Sequence, residues 1–109
     1  MYKTIKTLEE FNNLKDNNKG ILFYFSNETC NVCKILKPKI YEMLKNNYPE
    51  IPFYYVDTTL TPDVSAQNSV FTIPTIIIFF DGKETIRKSR HIGVEELKNN
   101  ISRPYEILF

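Results

Sequence analysis

The chain has 109 residues, of which 42% are hydrophobic and 25% charged, and its formal net charge is +1. This length predicts a single domain over residues 1–109 that buries an ordinary core without disulfide staples or metals. A charge close to zero provides no overall attraction to nucleic acid or to an anionic membrane, and we expect neither as a partner. No apolar run has the length of a signal peptide or a membrane span, so the expected location is the cytoplasm.

The first half of the chain predicts two helices around a buried strand. A capping-box pattern at Thr7–Glu10 places the first helix over about Leu8 to Asn17. The unbroken apolar run Ile21–Phe25 is typical of a central strand covered on both faces. A second helix begins at Cys30, and Pro38 is expected to interrupt and kink it. Its apolar residues are predicted to form one buried face: Val32, Cys33, Ile35, Leu36, Ile40, Met43 and Leu44.

Two further strands and a short helix follow. Ile51–Val56 has the composition of a strand, and Thr61 is expected to cap a short helix with Pro62 in its first turn. Thr75–Phe80 is β-branched or aromatic throughout, which strongly favours a strand.

The chain ends with a hairpin and a helix. Asp81–Gly82 is typical of a hairpin turn into a strand over Glu84 to Lys88. The last helix is expected to start near Gly93 and to stop at Pro104. The apolar tail Tyr105–Phe109 should then fold back onto the sheet or a helix, with a dimer contact or partner docking as alternatives. The order β-α-β-α-β-α-β-β-α indicates an α/β fold with a mixed central sheet flanked by helices.

The only two cysteines, Cys30 and Cys33, lie where the buried strand gives way to the second helix. Backbone N–H groups at a helix N-terminus stabilise a thiolate, so Cys30 is the predicted nucleophile. Cys33 lies one turn later, within disulfide reach, and is predicted to resolve the mixed disulfide that Cys30 forms with a substrate. A static disulfide, two buried thiols and a metal site are the alternatives. A zinc site would need ligands beyond the two cysteines and His91.

The chain resembles the thioredoxin family over nearly its whole length, and four features in sequence order carry the resemblance. They are a buried strand that ends in Cys30-Asn31-Val32-Cys33-Lys34, then Pro38, then Ile73-Pro74-Thr75 before an apolar strand, and a Phe-Asp-Gly-Lys hairpin at 80–83. The resemblance implies a thioredoxin fold and thiol-disulfide oxidoreductase activity on protein disulfides. It also implies an external electron donor such as a thioredoxin reductase, no metal, and no cofactor beyond the redox-active disulfide.

The resemblance further implies a set of substrate-binding residues around the sulfurs. Ile73–Pro74 is expected to be a cis peptide that faces them, and the exposed backbone of Ile73 should pair with an extended substrate segment. A proline that merely starts a strand is the alternative. Thr29, Asn31 and Val32 stand where typical thioredoxins have Trp, Gly and Pro, and are expected to contact the same substrate.

Arg90 and His91 fall where thioredoxins have a small, Gly-containing loop that borders the active-site groove. In that position they are expected to line the groove and bind substrate. A positive Arg90 would lower the pKa of Cys30 and favour acidic or smaller substrates. The alternative is that both side chains point to solvent on an ordinary loop.

Two tyrosines replace the charged pair that is thought to handle the proton of the resolving cysteine in the family. Tyr24 stands in place of the buried Asp, and Tyr55 in place of the accompanying Lys. A tyrosine with a pKa near 10 is a poor base at neutral pH. Glu28 is therefore a candidate for proton transfer, unless it is only a solvated loop acid. These departures keep a second function open, a redox-sensing or partner-binding module without general disulfide turnover.

Overall fold

The computed structural model describes residues 3–109. Within these residues the elements are β1 (Lys3–Thr4), α1 (Leu8–Asn17), β2 (Gly20–Ser26), α2 (Asn31–Asn47), β3 (Phe53–Asp57), α3 (Pro62–Gln67), β4 (Thr75–Phe80), β5 (Lys83–Ser89) and α4 (Val94–Leu108). The strands form one sheet in the order β1-β3-β2-β4-β5. β1, β2 and β3 run parallel to one another, β4 pairs antiparallel with β2, and β5 pairs antiparallel with β4. This confirms the predicted element order and the mixed sheet flanked by helices.

The two central strands, β2 and β4, are covered on both faces. Every residue of both strands is buried. Alternate side chains enter two separate cores, because successive residues of a strand point to opposite faces of the sheet. Leu22 and Tyr24 of β2 face the core completed by α2 and α4, whereas Phe23 and Phe25 face the core completed by Phe11 of α1. The unbroken apolar run Ile21–Phe25 is therefore part of a central strand covered on both faces, as predicted.

Thr7 and Thr61 are both predicted to cap helices, and only Thr7 makes a capping hydrogen bond through its side chain. The Thr7 hydroxyl accepts a hydrogen bond from the Glu10 N–H at 3.0 Å, which confirms the cap of α1. Thr61 does lie at the N-cap position of α3, but its hydroxyl donates to the carbonyl of Asp57 at 2.9 Å and makes no capping bond. Thr61 is therefore the N-cap residue of α3, as predicted, but its hydroxyl bonds the end of β3 and not the first turn of the helix.

The hairpin between β4 and β5 turns at Asp81 and Gly82, as predicted. Both residues have positive φ, +55° and +76°. A two-residue turn with this handedness matches the twist of the strands on either side, and Asp and Gly are the residues that adopt it at least cost.

Helix α4 continues through Pro104, so the prediction that Pro104 stops it is wrong. A proline inside a helix loses one hydrogen bond and crowds the preceding turn, at a cost of about 3 kcal/mol. Contacts made beyond it offset this cost. The Tyr105 ring packs against Tyr48 and stacks on Phe109, both at 4.8 Å between ring centres. A Cβ placed on Gly20 would lie 3.1 Å from Phe109, so the small residue makes room for this ring.

Candidate active site

The turn from β2 into α2 positions the two cysteines. The side-chain oxygen of Asn27 accepts hydrogen bonds from the backbone N–H of Thr29 at 3.0 Å and from the Thr29 hydroxyl at 2.9 Å. This closed turn delivers Cys30 to the N-cap of α2, where the Cys33 N–H donates to its sulfur at 3.2 Å. The same N–H group and the positive end of the helix would stabilise a thiolate at Cys30 in the reduced protein.

The two sulfurs differ in access to solvent. Cys30 and Cys33 form a disulfide, with their Cα atoms 5.2 Å apart. Cys33 is completely buried in the core that α2 completes, whereas Cys30 is half-buried at the edge of that core. Cys30 is therefore the sulfur that an incoming substrate can reach. Asn31 and Val32 lie between the two cysteines and are both exposed.

The segment before β4 lies against the same apolar core as the cysteines. The Ile73–Pro74 peptide bond is cis, Pro74 is buried, and Ile73 is half-buried against that core. Within residues 3–109 the backbone N–H and C=O of Ile73 form no hydrogen bond. Both groups are thus available to pair with an extended segment of another chain.

A backbone hydrogen bond ties the loop after β5 to this segment. The Arg90 N–H donates to the Pro74 carbonyl at 2.8 Å. Arg90 has a φ of +63°, a conformation that costs a residue with a Cβ about 1 kcal/mol or more. Arg90 and His91 are both exposed and, together with Val32, line an open groove. The structure thus brings these three predicted site residues together.

The strain at Arg90 gives a testable stability difference. Replacing Arg90→Gly should raise the free energy of unfolding by up to about 1 kcal/mol, because glycine adopts a positive φ at little cost and this gain exceeds its greater unfolded-state entropy. The control is His91→Gly, since His91 has no positive φ and should only lose stability. Urea unfolding at pH 7 measures both values. Equal destabilisation by the two substitutions would contradict the prediction.

Tyr24 lies buried beneath the first turn of α2. Its hydroxyl donates a hydrogen bond to the Cys33 carbonyl at 2.7 Å, and its ring stacks on Phe53 and Tyr55 at 5.7 and 6.5 Å between ring centres. Burial is the main cause that raises the pKa of Tyr24 well above its ordinary value, and the neighbouring Tyr55 hydroxyl raises it further. The Tyr24 hydroxyl therefore stays protonated at neutral pH. It holds the helix turn that carries Cys33 and has no capacity to accept a proton.

Glu28 lies exposed on the loop before Cys30. Its side chain forms no hydrogen bond or ion pair with any other residue between 3 and 109. This is the environment of a solvated carboxylate, and proton transfer by Glu28 stays a prediction.

The predicted buried face of α2 is too wide. Cys33, Ile40 and Leu44 are buried, but Val32 and Ile35 are 64% and 63% exposed. With 3.6 residues per turn, positions 33, 40 and 44 fall within about 40° of one another around the helix, whereas position 32 lies about 100° and position 35 about 160° from position 33. This period separates Ile35 from the buried stripe but not Val32, which lies only about 20° around the helix from the buried Met43. A strict reading of the period would thus have identified Ile35 as a surface residue beside the cysteines.

Phe71 is another exposed apolar residue, and no pattern in the sequence predicted a role for it. It lies two residues before Ile73 and is 84% exposed. A small cavity of about 190 Å³ separates it from the end of β3 and is lined by Thr58, Val70, Phe71, Thr72 and Ile73. The segment next to the cis peptide therefore also presents apolar surface.

Residues 3–109 bring together no group of three or more His, Cys, Asp or Glu side chains that could hold a metal ion. None of the helices in that range combines the length and apolar character needed to cross a bilayer.

An accessible sulfur at a helix N-terminus, bonded to a buried sulfur one turn later, is the arrangement by which a protein exchanges its own disulfide with that of another molecule. Carried on this mixed sheet, it defines a thiol-disulfide oxidoreductase. The family model for thioredoxin matches residues 3–103 of the chain. The chain belongs to the thioredoxin family, as the resemblance of its motifs predicted.

Individual relatives support this membership over most of their length. The chain is 27% identical over 103 residues to the thioredoxin-like protein YdfQ of Bacillus subtilis, covering 94% of this chain and 91% of that protein. It is 32% identical over 87 residues to thioredoxin-1 of Saccharomyces cerevisiae, covering 80% and 84%. Its fold matches that of oxidized mitochondrial thioredoxin 3 from the same yeast, with a TM-score of 0.82, 24% identity and 93% of each chain covered.

Proposed function

We propose that this oxidoreductase is a protein-disulfide reductase that acts in the cytoplasm. The observation that carries the proposal is the unequal access of the two sulfurs. Cys30 is reachable at the N-terminus of α2, and Cys33 is held in the core directly behind it. An exposed nucleophile with a shielded partner suits substrates that must enter, exchange and leave, because the resolving sulfur meets only a substrate already bound to Cys30.

The exchange transfers two electrons to the substrate in two steps. The Cys30 thiolate attacks one sulfur of the substrate disulfide, forms a mixed disulfide, and releases the other substrate sulfur as a thiolate. Cys33 then loses its proton and attacks the Cys30 sulfur. The mixed disulfide breaks, the second substrate thiolate leaves, and the Cys30–Cys33 disulfide remains. An external dithiol donor, such as a thioredoxin reductase, restores the two thiols.

Residues around Cys30 would hold the substrate during this exchange. The unpaired backbone of Ile73 can add an extended substrate segment in the manner of an extra strand, with Pro74 beneath it. The exposed side chains of Thr29, Asn31 and Val32 border the same sulfur. Tyr24 is held protonated by burial, so we assign the Cys33 proton to Glu28 or to water.

Turnover of a generic protein disulfide tests the proposal. With an added dithiol reductant, the wild-type protein should reduce the substrate catalytically, and Cys30→Ser should show only the rate of the reductant alone. A wild-type rate no higher than that of Cys30→Ser would refute the reductase and leave the redox-sensing or binding module. Equilibration with glutathione measures the reduction potential of the Cys30–Cys33 pair and so shows in which direction electrons flow. A potential within roughly 30 mV of the −270 mV of thioredoxin fits a reductase, and a potential well above that of the glutathione couple fits an oxidant.

A further inference from the structure

An open groove of about 490 Å³ lies between α2 and the loop that joins β5 to α4. One wall begins at Val32, between the two cysteines, and continues along the exposed stripe of α2. Val32 and Ile35 are the exposed large apolar residues of this wall, at 64% and 63%. Adjacent apolar side chains this open are typical of a surface that meets a partner. The apolar lining residues are Val32, Ile35, Leu36 and Ile92.

The rim of the groove is cationic. Lys39 and Arg90 both line it, together with the imidazole of His91. Within residues 3–109 neither the Lys39 nor the Arg90 side chain takes part in an ion pair or hydrogen bond. The first turn of α4 does carry two carboxylates close to the loop in sequence. These already have cations of their own, at 3.9 Å for Glu95 with Lys98 and 3.5 Å for Glu96 with Lys88.

We propose that this groove binds a segment of the substrate protein in which an apolar side chain lies next to carboxylates. The apolar wall takes the side chain, and Arg90 and Lys39 meet the negative charge. The proposal rests on the proposed function, because the segment arrives attached to the disulfide that Cys30 attacks. The hydrogen bond from the Arg90 N–H to the Pro74 carbonyl holds the backbone of Arg90 beside the Ile73–Pro74 segment. The loop that carries Arg90 would thereby select the substrate segment that the groove holds.

The expected selectivity is modest and depends on salt. Solvent-exposed ion pairs change a binding constant by about two- to fivefold each, so two cations should favour an acidic segment over a neutral one by roughly fourfold to 25-fold at low ionic strength. The preference should shrink strongly at 1 M salt, where the screening length is only about 3 Å. Charges at the rim of an interface act mainly on the association rate.

The test uses three synthetic peptides with one common disulfide and one leucine, flanked by two aspartates, two asparagines or two lysines. Second-order rate constants for their reduction by the fully reduced protein should rank acidic above neutral above basic. Arg90→Gln and Lys39→Gln should each reduce the acidic preference two- to fivefold, and the double variant should abolish it. Arg103→Gln on α4 and Lys45→Gln on α2 are matched controls, because both residues are exposed and lie outside the groove.

Each outcome has a defined meaning. Equal wild-type rates for the three peptides, or an equal loss in the Arg103→Gln and Lys45→Gln controls, would overturn the groove proposal while leaving the reductase intact. No reduction of even the neutral peptide would instead refute the proposed function. Ile35→Ser should slow the three peptides by the same factor, since it removes only the apolar contact. A wild-type dimer in sedimentation that Ile35→Ser dissociates would overturn the proposal by assigning the groove to a second copy of the chain.

Discussion

Replacing Cys33→Ser is expected to stop turnover while leaving the first exchange step intact. Cys30 keeps its accessible sulfur and its place at the N-cap of α2, so it still attacks a substrate disulfide. The serine hydroxyl does not displace a sulfur, and the mixed disulfide accumulates. Turnover should fall on the order of 10³-fold or more. Intact-mass spectrometry should show a stoichiometric adduct, equal to the sum of protein and one substrate half.

The reciprocal substitution is the control for this result. Cys30→Ser should form no adduct, because the remaining Cys33 is completely buried. Added dithiothreitol should release the Cys33→Ser adduct and return the free variant, which identifies the bond as a disulfide. Adduct formation by Cys30→Ser at the rate of Cys33→Ser would reverse the two roles assigned to the sulfurs.

The parts of the fold that the sequence predicted well are those in which local preference and burial agree. Ile21–Phe25 and Thr75–Phe80 are both strand formers and apolar on both sides, so no tertiary contact had to overrule the local pattern. The cap at Thr7 and the turn at Asp81–Gly82 are local for the same reason, because the atoms that decide them lie within four residues of one another.

The error at Pro104 arose because a distant contact decided the outcome. Pro104 does not end α4 because Tyr105 meets Tyr48, more than fifty residues earlier in the chain. A local rule gave the right preference at Pro104, and a contact formed only in the folded chain outweighed it.

The active site divides in the same way. The spacing of Cys30 and Cys33 and the start of α2 are local, so the sequence alone predicted the chemistry. The groove is not local, because it joins Val32 of α2 to Arg90, almost sixty residues later. The contact between the Tyr24 hydroxyl and the Cys33 carbonyl needed the structure as well. The sequence showed that the family's buried acid was absent, but not what its replacement does.

The burial of Tyr24 predicts a large loss of stability when this residue is replaced by the acid that typical family members have there. Replacing Tyr24→Asp should lower the free energy of unfolding by about 3 kcal/mol or more at pH 7, because it leaves a cavity and buries a carboxyl group beside Phe53 and Tyr55. Burial disfavours the ionised form, so the pKa of the new carboxyl group in the folded state should lie above its unfolded value near 4. The variant should therefore be most stable at or below about pH 4 relative to a neutral reference, and lose stability as the pH rises toward 7.

Tyr24→Phe provides that neutral reference and isolates the hydroxyl. It should cost about 1 kcal/mol at pH 7, the typical worth of one buried hydrogen bond, and leave the rate of mixed-disulfide resolution unchanged. Because the pKa of Tyr24 is raised in the folded state, the wild-type protein should lose part of its advantage over Tyr24→Phe above about pH 10, where the unfolded tyrosine ionises first. Urea unfolding from pH 4 to 11 measures all three proteins. The Tyr24→Phe curve is subtracted from that of Tyr24→Asp, and equal stability at pH 4 and pH 7 would then contradict a raised pKa of the carboxyl group. It would mean that a cation reaches the carboxylate. Lys37 is the candidate, since its ammonium group lies 4.4 Å from the centre of the Tyr55 ring.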